Sequence, residues 1–155
     1  MFETVYGKKP VTLKGHWYIK NYGPDGQLKQ QLDGENVITT VGLDFLASFL
    51  SSAAAGNSTF SMRYVAIGTD ATAEAAANTA LGIEVARHTG TVSYASSAIY
   101  RVSATFAAGT GTGAIVEYGL FSSSTGGTMM NRDTESVINK GAGDTLTVTT
   151  EITFA

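Results

Sequence analysis

Thr145-Leu146-Thr147-Val148-Thr149-Thr150-Glu151-Ile152-Thr153-Phe154 is the stretch that decides the fold. Leu146, Val148, Thr150, Ile152 and Phe154 alternate with Thr145, Thr147, Thr149, Glu151 and Thr153. Successive side chains of a strand point to opposite faces, so this period of two describes a strand with one buried face and one face rich in hydroxyls. Ile99 to Ala107 repeats the logic, with Tyr100, Val102, Ala104 and Phe106 on one side.

Working outward, Met62 to Gly68, Val85 to Tyr94, Ile115 to Ser122 and Thr128 to Arg132 read as further strands. Gly109-Thr110-Gly111-Thr112-Gly113 and Thr125-Gly126-Gly127 read as the turns between them. Near the start, Leu13 to Lys20 is a strand and Tyr22-Gly23-Pro24-Asp25-Gly26 a turn, because proline presets φ and glycine accepts positive φ. Gln27 to Leu32 returns antiparallel, and Asp33-Gly34 breaks the chain before Asn36-Val37-Ile38. After Thr40 the period changes. Leu43, Leu46, Ala47 and Leu50 fall at i, i+3, i+4 and i+7, with Phe45 and Phe49 widening the stripe, which predicts one short helix around residues 41–51. Asp70 to Asn78 is open to either a loop or a short helix. The expected fold is mainly β: an antiparallel β-sandwich of jelly-roll type, since many short strands punctuated by turns and a single helix argue against a parallel α/β sheet. Residues 13–155 form one domain, and residues 1–12 precede it as an N-terminal arm.

A chain of 155 residues has the length of one ordinary domain. It contains no cysteine, which excludes a disulfide framework, a thiol nucleophile and thiolate metal sites. A formal charge of −3 argues against nucleic acid, whose binders carry a basic stripe to neutralise phosphates. No stretch reaches the roughly 18 apolar residues of a membrane span, and the N-terminus has no run of signal-peptide length. Synthesis in the cytoplasm is expected. Charged residues make up 15% of the chain against about 25% in a typical soluble domain, a surface suited to burial against partner subunits or to a plain Thr/Ser-rich sheet.

Motifs for chemistry are sparse. His16 and His88 are the only imidazoles, far apart and outside any metal-ligand spacing. No serine sits in a G-x-S-x-G elbow. Gly109 to Ala114 formally satisfies G-x-G-x-x-A, but the following Ile115-Val116-Glu117-Tyr118 continues as strand, so no helix N-terminus receives a pyrophosphate. Lys140-Gly141-Ala142-Gly143-Asp144 places its lysine before the glycines and is a turn. The carboxylate pairs Asp133 with Glu135 and Asp70 with Glu74 have only sequence proximity to suggest acid–base work. Glu84 or Glu117 with Arg87 reads as a cross-strand ion pair that fixes register. The expectation is therefore a chain that is not an enzyme, without catalytic, metal-binding or cofactor-binding residues. The candidate protein-contact residues are the apolar groups of the arm, Phe2, Val5, Tyr6 and Pro10, together with Trp17 and Tyr22 of the aromatic cluster that includes Tyr18. Alternation sends Trp17 and Tyr18 to opposite faces, one to the core and one toward a partner.

The succession Asn36-Val37-Ile38-Thr39-Thr40-Val41-Gly42, Val65-Ala66-Ile67-Gly68-Thr69, Asn78-Thr79-Ala80-Leu81 with Glu84 and Arg87, Gly113-Ala114-Ile115-Val116-Glu117-Tyr118-Gly119-Leu120-Phe121, Ile138-Asn139-Lys140-Gly141 and Asp144-Thr145-Leu146-Thr147-Val148 resembles small structural proteins of tailed bacteriophages. The likeness spans about residues 36–154. It implies a virion component, either a capsid cement (decoration) protein on the capsid surface or a tail-fibre or baseplate module with a possible affinity for carbohydrate through Trp17 or Tyr22. The single short domain and apolar arm favour the capsid. The partners then expected are the major capsid protein and further copies of the chain, as a dimer or a trimer.

Overall fold

The computed structural model describes residues 12–54, 61–96 and 98–155. Along them run β1 (Leu13–Tyr22), β2 (Leu28–Ile38), α1 (Thr40–Ala54), β3 (Tyr64–Gly68), β4 (Glu84–Thr89), β5 (Thr91–Ser96), β6 (Ile99–Phe106), β7 (Gly113–Phe121), β8 (Met129–Lys140) and β9 (Thr145–Phe154). Every pairing is antiparallel, and the strands form one sheet in the order β4-β3-β7-β8-β2-β1-β9-β6-β5. Its two edge strands, β4 and β5, are consecutive in the chain and separated only by Gly90, so the sheet curls until its ends approach and nearly closes into a barrel. The Gly90 amide donates to the Arg63 carbonyl at 2.7 Å. Across the remaining gap the His88 ring of β4 meets Phe106 of β6 edge-on, with centroids 5.3 Å apart.

The mainly β, antiparallel expectation with one helix holds, and β9 has the bounds that its alternation gave. The hydrogen bonding describes one rolled sheet where two separate sheets were expected. The reason lies in β2, which serves both halves. Most of its length pairs with β1, from Gly15↔Asn36 to Tyr22↔Leu28, whereas only Val37↔Arg132 and Ile38↔Asn131 join it to β8.

Several local readings are corrected. Asp33-Gly34 does not break the chain: Asp33 pairs with Tyr18 and Gly34 with Trp17 inside β2. A Cβ at Gly34 would meet the carboxyl end of Glu135, which sits over the glycine. Val85 to Tyr94 is two strands at opposite edges of the sheet. The strand expected to stop at Arg132 continues to Lys140, its polar residues pairing with β7. Asp70 to Asn78 is a loop. The helix spans Thr40–Ala54, slightly longer than the apolar stripe predicted. Thr39 caps it by accepting the Gly42 amide on Oγ1 at 3.0 Å while its hydroxyl donates to the Met129 carbonyl at 2.6 Å. Gly42 lets α1 start directly on β8, since a Cβ there would stand 2.6 Å from the Met130 carbonyl oxygen.

The barrel interior is filled by Trp17, Ile19, Ile67, Phe106, Tyr118 and Val148 among others, with Phe45 and Leu46 of α1 packed against them. A smaller cluster of Ala66, Leu81, Phe121 and Met129 lies apart from it. Leu81 belongs to the connection from β3 to β4, so that loop lies against β3, β7 and β8.

Candidate functional site

Four features of the folded chain gather polar or exposed groups. The first is a clamp. Glu117 of β7 is fully buried and accepts hydrogen bonds from the amides of Asp70 (3.2 Å), Gly82 (2.9 Å) and Ile83 (2.8 Å). Arg132 of β8 donates to the same carboxylate through Nε (3.2 Å) and Nη2 (2.9 Å), while its Nη1 donates to Ala73 O and Asn78 Oδ1. Thr134 adds a hydroxyl bond to Glu74. The connection from Thr69 to Ile83 is thereby tied onto this half of the sheet. Asp70 caps its own loop by accepting from the Thr72 hydroxyl and amide, and these bonds hold its carboxyl below the usual range. Glu117 thus pairs with Arg132. Arg87 pairs with Glu84 instead (2.6 and 2.9 Å), lies 3.7 Å over the Phe121 ring, and donates to the Ser123 and Gly126 carbonyls.

The second feature is the seam where β2 parts from β8. Beyond Val37 and Ile38, side chains replace the strand ladder. Gln30 donates to the Val137 carbonyl at 2.7 Å, Lys29 to Asp144 at 2.6 Å, and Asn21 to Asn139 O and Asp144. Asn36 in its hydrogen-bonding orientation accepts from Trp17 Nε1 at 2.7 Å and Asn131 Nδ2 at 3.2 Å. Lys29 and the Gly141 amide hold the Asp144 carboxyl below its usual range. Lys140, buried, spends its charge on the carbonyls of Ala107 (3.0 Å) and Asp144 (2.8 Å).

Asp133 and Tyr118 are register partners and share the inner face of this seam. Both are buried, and neither Asp133 Oδ2 nor the Tyr118 hydroxyl has a hydrogen-bond partner. Burial, then Glu135 and Glu74, push the Asp133 carboxyl up to about 7. Burial likewise raises the Tyr118 phenol. The Asp133 and Glu135 pair is therefore real in space. It lines none of the four described depressions.

The third feature is the outer face of β1, β9 and β6. Tyr18, Lys20, Tyr22, Arg101, Thr149 and Glu151 line a shallow depression of about 630 Å³. Arg101 donates to Glu151 at 2.6 Å and Ser103 bonds Thr149 at 2.8 Å. Burial and the neighbouring Glu151 raise the Tyr18 phenol above its ordinary range. Among the described residues no helix or strand packs across this face. The fourth is an apolar groove of about 420 Å³ between α1 and β5, β6 and β9, bordered by Leu46, Met62, Val92, Tyr100, Ile152 and Phe154.

Of the expected contact residues, Trp17 is corrected. It is wholly buried and its indole N–H is committed to Asn36, so it has no surface to offer a partner. Its neighbour Tyr18 takes the outward face, 39% exposed. Tyr22 is half-buried at the rim of the same depression. Phe2, Val5, Tyr6 and Pro10 lie outside the described residues. His16 stands beside Asp33 (3.7 Å) and Tyr18. Among the described residues no group of three or more His, Asp or Glu side chains is placed to hold a metal. Sequence reading placed Asn131 and Arg132 in a strand but gave them no role, and it ended the strand at Arg132 because Asp-Thr-Glu looks like a loop; the available signal was that Arg132 and Thr134 share one face and Asp133 and Glu135 the other.

No protein-family model, no curated protein and no solved structure matches the chain.

Proposed function

We propose that the chain is a structural component of a tailed-phage particle, a capsid cement protein that bridges major capsid protein subunits from the virion surface. The observation that carries this reading is the unequal covering of the sheet. The half built from β3, β7 and β8 is wrapped by the chain's own loop, whereas the half built from β1, β9 and β6 presents Tyr18, Tyr22 and Arg101 on a hydroxyl-rich face that no described helix or strand covers. Aromatic residues and arginine are the side chains that dominate protein interfaces. On this reading the two halves act as the layers of a sandwich, one closed on itself and one turned toward the shell. Cementing needs no chemistry: a protein that binds only the assembled shell stabilises it by mass action, and a dimer or trimer multiplies the contact.

The test adds the purified chain to capsids assembled from tailed-phage major capsid proteins and measures occupancy by co-sedimentation. Wild-type chain should saturate the shell, and Tyr18→Ala with Arg101→Glu should lower occupancy at least tenfold at equal concentration. Absent wild-type binding, or full occupancy by the variant, would overturn the proposal. The same depression also supports a second reading, a tail-fibre or baseplate module that stacks a sugar on Tyr18 or Tyr22. Binding to bacterial surface oligosaccharides that is lost in Tyr18→Ala, with no capsid binding, would favour it.

A further inference from the structure

Among neighbouring strands of the sheet, β2 and β8 share the shortest ladder. Two register pairs hold it, Val37↔Arg132 and Ile38↔Asn131, helped by the Thr39 amide on Met130 O. The next β8 residue is Asp133, buried beside Tyr118 without a hydrogen-bond partner for Oδ2. Two residues on, Glu135 sets its Oε1 against Gly34, within collision distance of where a Cβ of residue 34 would sit, and Asp133 Oδ2 is 3.9 Å from that same point. Two carboxyl groups thus converge above a glycine at the place where the strands begin to part.

We propose that Asp133 and Glu135 form a proton-operated latch on this seam: with Asp133 protonated the strands stay together, and loss of its proton sets two carboxylates against each other and parts β2 from β8. The groups facing Asp133 make this one-directional. Glu135 comes from β8 itself and Tyr118 from β7, Glu74 adds its negative charge from the loop on the other face of β8, where it bonds Thr134, and β1 and β2 contribute the uncharged Trp17 and Gly34. Among the described residues no cation acts on Asp133. Arg132 is turned away to Glu117 on the opposite face. An ionised carboxylate in such surroundings has little water and no facing counter-ion, the Thr134 amide only partly offsets this, and two like charges in one site repel. Opening the seam relieves both by admitting water.

Trp17 reports on this directly. It is the chain's single tryptophan, it is buried, it pairs with Gly34, and its ring centroid lies 6.0 Å from that of Tyr118. Acrylamide quenching of its fluorescence, measured on the full chain from pH 5 to pH 9 with circular dichroism to verify the fold, should rise at least threefold with a reversible midpoint near 7. Asp133→Asn should abolish the transition. Glu135→Gln should keep it and move the midpoint to lower pH, because a neighbouring charge that raises the Asp133 pKa is gone; a merely structural role would leave the midpoint in place. His16→Gln, on the other face of β1, is the control and should change nothing. A flat wild-type profile, an undiminished transition in Asp133→Asn, or loss of the transition in His16→Gln would each overturn the latch.

Discussion

Replacing Glu117 by alanine takes away, in one step, the acceptor for three amides and two guanidinium N–H groups. The carboxylate is wholly buried and Arg132 is 2% exposed, so nothing else in the native state compensates the arginine's charge as fully. Asp70, at 3.7 Å, is the nearest remaining carboxylate. Leaving a buried charge unpaired costs about 3–5 kcal/mol. Each orphaned amide adds about 1–3 kcal/mol while it stays buried. The loop is able to lift and hydrate those amides, which caps the sum, and a total of about 4–6 kcal/mol is expected against a typical domain stability of about 5–15 kcal/mol. Glu117→Gln should cost less, because an amide oxygen still accepts from the loop.

Urea unfolding followed through Trp17 measures this, and a cycle with Arg132→Met separates the pair from the loop. The double variant Glu117→Ala with Arg132→Met should be more stable than the sum of the single losses predicts, by about 2 kcal/mol or more, because the second change removes the charge that the first left stranded. A loss below about 1 kcal/mol for Glu117→Ala, or strict additivity in the cycle, would refute the claim that this carboxylate holds loop and sheet together.

Two further outcomes follow from single positions. Gly42→Ala should destabilise by about 1–3 kcal/mol in the same urea assay, because the added methyl meets the Met130 backbone, which has no rotamer to yield; an unchanged midpoint would mean that α1 does not rest on β8 as described. Stability as a function of pH should pass through a maximum on the acid side of neutrality. Asp133 binds its proton more tightly folded (about 7) than unfolded (3.8), so stability falls as pH rises between these values. The full difference amounts to about 4 kcal/mol, and about 2 kcal/mol after allowing for water at the open seam. Asp144 and Asp70 are held below their ordinary values, so their contribution is present above the unfolded carboxylate range and lost as pH falls through it. Thermal melts from pH 3 to pH 9 check both limbs, and Asp133→Asn should flatten only the upper one.

What the sequence made legible is the part governed by one periodicity at a time. β9 and β6 alternate cleanly because one face meets the core and the other meets water, and α1 shows its stripe for the same reason. The readings failed where two demands meet on one residue. Gly34 looks like a breaker, yet it stands in a continuous strand under a side chain more than a hundred residues away. Gly90 sits between Thr89 and Thr91 in a stretch that reads as one strand, although it divides two strands at opposite ends of the sheet. β8 buries Asn131, Arg132 and Asp133 on both faces, and no hydropathy pattern distinguishes such a strand from a solvated loop. The candidate surface was half legible: alternation assigned Trp17 and Tyr18 to opposite faces, but which of them faces inward depends on the register with β2 and β9.

The polar seam also explains why the barrel has a stable and an adaptable side. Where β2 leaves β8, its backbone has no neighbouring strand on that side, and an apolar filling would strand the exposed peptide groups. Gln30 on Val137 O and Asn21 on Asn139 O satisfy carbonyls that a ladder would otherwise satisfy. Such side-chain bridges fix register, but each contributes only about 0.5–1.5 kcal/mol and costs the entropy of a long side chain. On one flank of the seam the sheet is braced by the Glu117 and Arg132 clamp and its loop; on the other, β1 carries Tyr18 outward with no described element over it. Local opening concentrates where buried apolar contact is thin. The face left open by the described residues therefore borders the shortest ladder in the sheet, and a partner seated on β1 would grip the strand whose opposite face carries Trp17 toward that ladder.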